Sequence, residues 1–547
     1  MLELKDFFAI DENGKPIEEP INRIAFTEDD IEYKLIYIKA MQDLGMEVSI
    51  DRIGNICGTF YGRKSRDKSI ICGSHTDSVD NGGQFDGPLG VFSALKAAED
   101  INNSGVIPDI NYKAIIYACE ESTRFKGKAC LGSKYLRGDK TDFNSIISRD
   151  GLSLGEIVKQ YKKELFFRAK SLGLKPIKEV DKVVENDEIA TAIESHIEQA
   201  DSLIKDNKDI GICTSIVAPY RLQARMDDIE TAAKFICDLE EGAKGAENLE
   251  ENAYRATVTE FSVKNDFPQN TLDGKQIITL KANGKNNHSG ATPMVNRKDA
   301  VYGVASLINT LSNDKSVDFI EACTPNWGAN QITDTCYVQF AILKNADKNG
   351  AVVLPQFVQN AILDAGIKAN VTFDRLDGID VRDDKQIETI QKNGKTIDKE
   401  SNLFIDVRQQ AGMKSEDTAN LIWDTVLNIL KTTKKNVLLR PKVIGEPYST
   451  NAELVEQVRK ICEESGISYS IMKSWAGHDL ATLTNNGDAR TILIFVPNTG
   501  GSHNPHETTT IDAINKVCAV QSMLVKEELE REGKKELLKE DSRMISN

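Results

Sequence analysis

Six histidines are spread along the chain: His75, His196, His288, His478, His503 and His506. None lies on a plain amphipathic face, and most stand in polar or Gly-rich turns. One such histidine would be an ordinary surface or core residue; six placed this way point to chemistry. Neutral imidazole and carboxylate together suit zinc or a similar divalent ion. His75 and Asp77 follow the apolar run Ser69-Ile-Ile-Cys72, and being two apart on an extended chain they share a side. Asp86 comes next, on a turn between Gly82-Gly83 and Gly87, and residues 89–98 then read as a helix. A strand end offering a histidine, a loop offering an aspartate and a helix behind them make a metal-site layout. Asp77 would hold the tautomer of the His75 ring.

Glu120 and Glu121 are adjacent at the end of the apolar run 111–119, where successive side chains point apart. One carboxylate can then bind a metal while the other faces the substrate as a general base. His196, in Glu194-Ser-His-Ile-Glu-Gln199, is a third ligand candidate, and Gln199 is placed to hydrogen-bond a substrate amide. His503 follows the strand-like run 492–496 and is a further ligand candidate. His506 is less favoured, because Pro505 redirects the turn.

These side chains need a frame. Helices are expected over 30–44, 152–159 (Asp- or Gly-capped), 453–465 and 510–534, the last followed by a frayed charged tail. Strands are expected over 47–50, 55–61, 69–72, 111–119 and 491–498, with the 188–196 run leading to His196. This alternation predicts an α/β domain with a largely parallel sheet, where ligands collect beyond the carboxyl ends of the strands. From about residue 215 the character changes. A very acidic, partly helical stretch (226–270) precedes strands at 276–281, 337–343, 369–373 and 403–407, a helix at 298–311 and an amphipathic helix at 415–431. Residues 215–442 therefore read as an α+β domain inserted between 1–214 and 443–547, which together form the first domain.

A length of 547 residues allows two such domains. A net charge of −16 argues against nucleic acid or an anionic membrane as the main partner, while leaving a small anionic substrate open. The start is too short and acidic for a signal peptide, and no apolar run approaches membrane-spanning length. The ten cysteines show no CxxC pair, and several lie in apolar runs, which suits buried thiols in a reducing cytoplasm.

The joint pattern resembles a known family. Its carriers are Gly73-Ser-His-Thr-Asp-Ser-Val-Asp-Asn-Gly-Gly-Gln-Phe-Asp-Gly87, Glu120-Glu-Ser-Thr-Arg-Phe125, Ser195-His-Ile-Glu-Gln199, Asn287-His-Ser-Gly-Ala-Thr-Pro-Met294, Ala476-Gly-His-Asp479 and Gly501-Ser-His-Asn-Pro505. In this order they resemble the peptidase M20 family. Within it they are similar to the hydantoinase/carbamoylase branch of N-carbamoyl-L-amino-acid hydrolases, allantoate amidohydrolases and β-ureidopropionases. The resemblance implies an α/β dinuclear metallohydrolase domain on a mixed sheet, carrying an inserted α+β lid and dimerisation domain. It implies two divalent ions, zinc or manganese, with cobalt and nickel as alternatives. His75 and His196 would hold one, Glu121 and His503 the other, and Asp86 would bridge them. Glu120 would be the base, with Asp77 in the catalytic group. His288 would stabilise the oxyanion and contact substrate, including across a homodimer. Arg408 would bind a substrate carboxylate, Gln199 the ureido or amide group, and His478 with Asp479 would lie nearby.

The chain also departs from that pattern. Ala200 stands where the family places Gly, the usual Asn-Val-Ile-Pro stretch is not evident, and extra segments near 227–273 and 344–400 enlarge the insert. Cleavage of an N-carbamoyl-L-amino acid is the expected reaction. Allantoate or a related ureide, a dipeptide or acylated amino acid, and a catalytically silent binding protein are the alternatives.

Overall fold

The computed structural model describes all residues except 1, 126–127, 185–187, 227, 248–253, 266–271, 326–330, 346–352, 377–402, 410–417, 419, 421, 423, 426–436, 446, 484–488 and 546–547. For 188, 409, 437–444 and 538–545 it describes the backbone alone. The described chain divides into two units, Met1–Ile216 with Tyr448–Asn547, and Val217–Pro447.

The first unit is built on a ten-stranded mixed sheet. At its centre four strands run parallel: Asn111–Tyr117, Lys68–His75, Glu188–Ile197 and Arg490–Val496. Lys68–His75 and Asn111–Tyr117 are buried along their whole length, as continuous apolar strands covered on both faces should be. Register keeps the strand ends level: His75 lies opposite Tyr117, Cys72 opposite Ile193, and Phe495 opposite His196. Antiparallel strands Ile56–Phe60 and Glu47–Ile50 extend one side. On the other side Ile210–Ile216 pairs antiparallel with Arg490–Val496.

The helix Pro88–Ser104 starts with Pro at its first position and buries Leu89, Val91, Phe92, Ala94 and Leu95 in the core of this unit. The expected helix at 152–159 instead spans Leu154–Ser171. Ser153 caps it in a capping box with Glu156, so a hydroxyl and not Asp or Gly starts it. The last helix runs Ile511–Ile545, straight through the tail expected to fray. Ion pairs Arg531–Glu528 and Lys535–Glu532 along its face, and Lys68–Glu532 back to the sheet, anchor residues 528–535, from which the helix continues.

Among the described residues the second unit has three antiparallel sheets, the smallest pairing Asn287–His288 with Gln331–Ile332. The five-stranded one orders Val263–Lys264, Asp318–Cys323, Thr335–Leu343, Lys275–Asn283 and Thr372–Leu376. The four-stranded one orders Val437–Ile444, Ala218–Met226, Leu403–Gln409 and Tyr254–Phe261. Helices Ile229–Ala246, Ala300–Leu311 and Gln356–Ala369 share its core. The strand expected at 369–373 straddles a boundary: Ala369 ends a helix, Asn370 turns in the left-handed region, and the strand begins at Thr372. The helix expected at 415–431 lies mostly outside the described residues.

Candidate metal centre

The carboxyl ends of the four parallel strands gather the chemistry. His75 ends its strand, His196 sits one residue before the end of another, Glu120 and Glu121 follow a third, and His503 stands on the loop after the fourth. Asp86 lies on the turn before the helix Pro88–Ser104. Cys119, Cys130 and His503 hold φ of 54°, 52° and 62°, a region that side chains enter only when their surroundings over-determine it. Gly87 (φ 88°) lies so close to His75 that a Cβ there would stand 2.5 Å from the ring.

Asp86 is the hub. Its Oδ1 is 3.1 Å from His196 Nε2 and 3.6 Å from His75 Nε2, and its Oδ2 is 3.6 Å from His503 Nε2. His503 Nε2 lies 3.1 Å from Glu121 Oε1. Two buried donor triads result, His75–Asp86–His196 and Asp86–Glu121–His503. The ring tautomers suit this. His75 Nδ1 is 2.9 Å from the main-chain oxygen of Asp77, and His196 Nδ1 is 3.0 Å from that of Ile197. A proton on each Nδ1 leaves the Nε2 lone pairs facing Asp86. Asp77 thus acts on His75 through its carbonyl; its carboxylate, 3.8 Å from the ring, accepts the main-chain N–H groups of Glu120 (3.2 Å) and Glu121 (3.0 Å).

Whether a cation fits is answered by the oxygens. Asp86 Oδ1 and Glu121 Oε2 are buried with no hydrogen-bond partner among the described residues. Such oxygens are costly unless a cation or proton faces them. Burial tends to lower the pKa of His503, but Glu121 and Asp86 outweigh it and hold it up at about 9. Burial works against His75 and His196 too, and Asp86 among the neighbouring carboxylates raises both. Protons thus collect where the carboxylates crowd, and a bound cation would displace them.

Glu120 is half-buried, and Cys130 Sγ donates to its Oε1 at 3.1 Å. Burial and Glu121 push its carboxyl up, against His75, to about 7. Gln199 turns inward: its Nε2 donates to Asp86 Oδ2 at 2.9 Å. His478 packs edge-on against His196, ring centroids 4.7 Å apart, and its Nε2 is 2.9 Å from Ser474 Oγ. Asp479 accepts from Ser133 Oγ at 2.5 Å, and burial with Glu120 and Glu194 drives its pKa well up. His506 is exposed and pairs with Glu18 at 3.1 Å. Two contributors carry no role in the sequence reading. Ser502 Oγ donates to Asp86 Oδ2, and Glu507 Oε1 accepts from the main chain of Phe85 and Asp86. Position in the Gly501-Ser-His-Asn-Pro505 stretch and its flank is the one signal that marks them.

His288 and Arg408 belong to the second unit. The Nδ1 of His288 accepts from Gly290 N (3.1 Å) and Ala291 N (2.8 Å), which puts the ring proton on Nε2 and makes that atom a donor. Arg408 is buried, and its Nε donates to Asp406 Oδ2 at 2.9 Å. Asp406 also accepts from Arg221 and Ser289.

Fold and donor set define an α/β metallohydrolase with its candidate cation ligands at the carboxyl edge of a parallel strand set. The chain belongs to peptidase family M20/M25/M40, whose pattern matches residues 71–527. It is similar to "Ureidoglycolate hydrolase" of Oryza sativa subsp. japonica, 31% identical over 40% of this chain and 44% of that protein, less than half its length. It is similar over 92% of both chains, at 23% identity, to "N-carbamoyl-L-amino-acid amidohydrolase" of Pseudomonas sp.. A solved hydantoinase/carbamoylase family amidase from Burkholderia ambifaria shares the fold, with a TM-score of 0.51 at 18% identity over 95% of this chain and 94% of that one.

Proposed function

We propose that this chain is a cation-dependent amidohydrolase cleaving a linear C–N bond, with an N-carbamoyl-L-amino acid as substrate. The observation that carries the reading is one buried carboxylate, Asp86, shared by two donor triads, with Glu120 beside them. His75, Asp86 and His196 would hold one divalent ion, and Asp86, Glu121 and His503 the other, zinc or manganese in the first instance. When bound, the cations would polarise the scissile carbonyl and let a nearby water ionise around neutral pH. Glu120 would take that proton on a carboxylate oxygen and return it to the leaving nitrogen. The Nε2–H of His288 would donate to the oxygen that gains charge, an effect worth about 3–4 kcal/mol of barrier. Arg408 would bind the substrate carboxylate, with Gln199 and His478 near the ureido group. Asp77 would keep Glu120 and Glu121 in place through their main-chain N–H groups. Residues 215–442 would close as a lid that brings His288 and Arg408 to the cations. A cytoplasmic homodimer is the proposed state, supported by the family resemblance and ten free thiols.

The test is turnover of N-carbamoyl-L-amino acids with added zinc or manganese. Glu120→Gln should abolish it while both ions stay bound; an active Glu120→Gln enzyme removes Glu120 as the base. A second reading, hydrolysis of allantoate or a ureide such as ureidoglycolate, is favoured by the higher identity of the rice alignment. A panel of carbamoyl amino acids, allantoate, ureidoglycolate and a dipeptide decides between them by kcat/KM.

A further inference from the structure

Two loops supply Asp86 and His503, and they come from distant parts of the chain. Neither lies in a strand or helix, so something other than sheet register must fix the spacing between their donors. Glu507, four residues beyond His503, does this. Its side chain is buried, and its Oε1 accepts from Phe85 N and Asp86 N, both at 3.0 Å. A single oxygen therefore holds the peptide that carries the shared carboxylate. The same loop is held a second time, where Ser502 Oγ donates to Asp86 Oδ2. The main chain of Glu507 donates to Asn504 O at 3.2 Å, and the Asn504 side chain donates to Gly500 O at 3.0 Å, so the His503 loop is itself closed. Room for the Glu507 side chain exists because position 83 has none: a Cβ on Gly83 would fall onto the Glu507 Cβ, Cδ and Oε1.

We infer that Glu507 is a positioning residue that sets the distance between Asp86 and His503, and so builds the second cation position in the metal-free protein. This rests on the two-cation reading above. Glu507 touches neither substrate nor cation in this assignment; it acts through the Phe85–Asp86 main chain. An acceptor at Oε1 is the feature required, not a negative charge. Partners that orient metal ligands in this way are typically worth about 10–100-fold in metal affinity.

The experiment measures zinc content and affinity on chelator-stripped, full-length protein, by equilibrium dialysis against zinc alone. Wild type should bind two ions and His503→Ala one. Glu507→Ala should still hold the ion that His75 and His196 also ligate, and bind the second about 10–100-fold more weakly. Glu507→Gln retains the Oε1 acceptor and should bind both ions within about threefold of wild type. Gly83→Ala leaves the carboxylate in the chain but displaces it, and should reproduce Glu507→Ala; it also serves if Glu507→Ala does not fold. Two tightly bound ions in Glu507→Ala or Gly83→Ala overturn the inference, as does a Glu507→Gln protein as weak as Glu507→Ala. A wild-type protein that takes up fewer than two ions overturns instead the two-cation reading, so the two failures are distinguishable.

Discussion

His75 and His196 each commit Nδ1 to a main-chain carbonyl, that of Asp77 two residues past its strand and that of Ile197 at its strand end, so ring orientation at the centre is inherited from backbone at the sheet's edge. Close packing behind the rings is part of that arrangement. Gly87→Ala would force a Cβ into the His75 ring and put a side chain at φ 88°. We expect it to weaken binding of the ion held by His75 and His196, and to cost about 1–3 kcal/mol of stability, read by zinc titration and chemical denaturation. The candidate ligands stand out in the sequence because histidines and paired carboxylates end apolar runs there. The roles of Asp77 and Gln199 do not, since which atom of a side chain meets which neighbour depends on strands far apart in the chain.

Asp51 gives a residue-scale test away from the centre. It is buried and accepts from the main chain of Ile53, Gly54 and Asn55 and from the Asn55 side chain. Burial nevertheless raises its pKa from 3.8 to about 6. The folded state thus binds this proton more tightly than the unfolded state. Below about pH 4 the group costs nothing; as pH rises through about 4 to 6 it removes stability, on the order of 3 kcal/mol, and the loss is constant above that. Asp51→Asn should flatten this fall, measured as the difference between wild-type and variant denaturation free energies at pH 4.5 and pH 7.5.

At the scale of elements, the first helix, Glu28–Asp43, carries a buried ion pair, Lys34 with Asp30 at 2.8 Å. Asp30 also accepts from Phe26 N, and its other oxygen reaches Thr76, next to His75. Asp30→Asn should destabilise by about 3–5 kcal/mol, because Lys34 is left charged and unpaired in the core; thermal and urea unfolding report it. Ser153→Ala, at the start of Leu154–Ser171, should cost only about 1 kcal/mol by the same measurement, since that cap is exposed to water. Central strands were readable from apolar runs, because burial on both faces leaves little choice of residue. Ala218–Met226 and Val437–Ile444 were not: Arg221, Gln223, Arg225, Arg440 and Lys442 interrupt their patterns. Arg221 is tolerated in its sheet because Asp406 neutralises it from the paired strand, a fact no single stretch discloses.

At the scale of the whole molecule, each unit has its own hydrophobic core, and the candidate cation ligands all lie in the first. Heating should therefore give two transitions. Zinc at 100 times its dissociation constant should raise the one belonging to the first unit, by about 2.7 kcal/mol per site, and leave the other in place; calorimetry with and without chelator measures it. A change in composition near residue 215 is the signal from which the sequence reads an insert, whereas strand order within Val217–Pro447 depends on pairings between segments far apart, which local patterns do not encode.

The strand Arg490–Val496 lies between Glu188–Ile197 and Ile210–Ile216, both of which are translated far earlier. On the ribosome, then, two neighbouring strands must wait with facing edges unpaired while the whole second unit is made. Open edges of that kind invite pairing with other nascent chains. Yield in cells should accordingly depend on how long the chain waits for residues 490–496, and slowing translation with rare codons between residues 217 and 490 would be expected to send more of the product into inclusion bodies than the same slowing placed within residues 1–187.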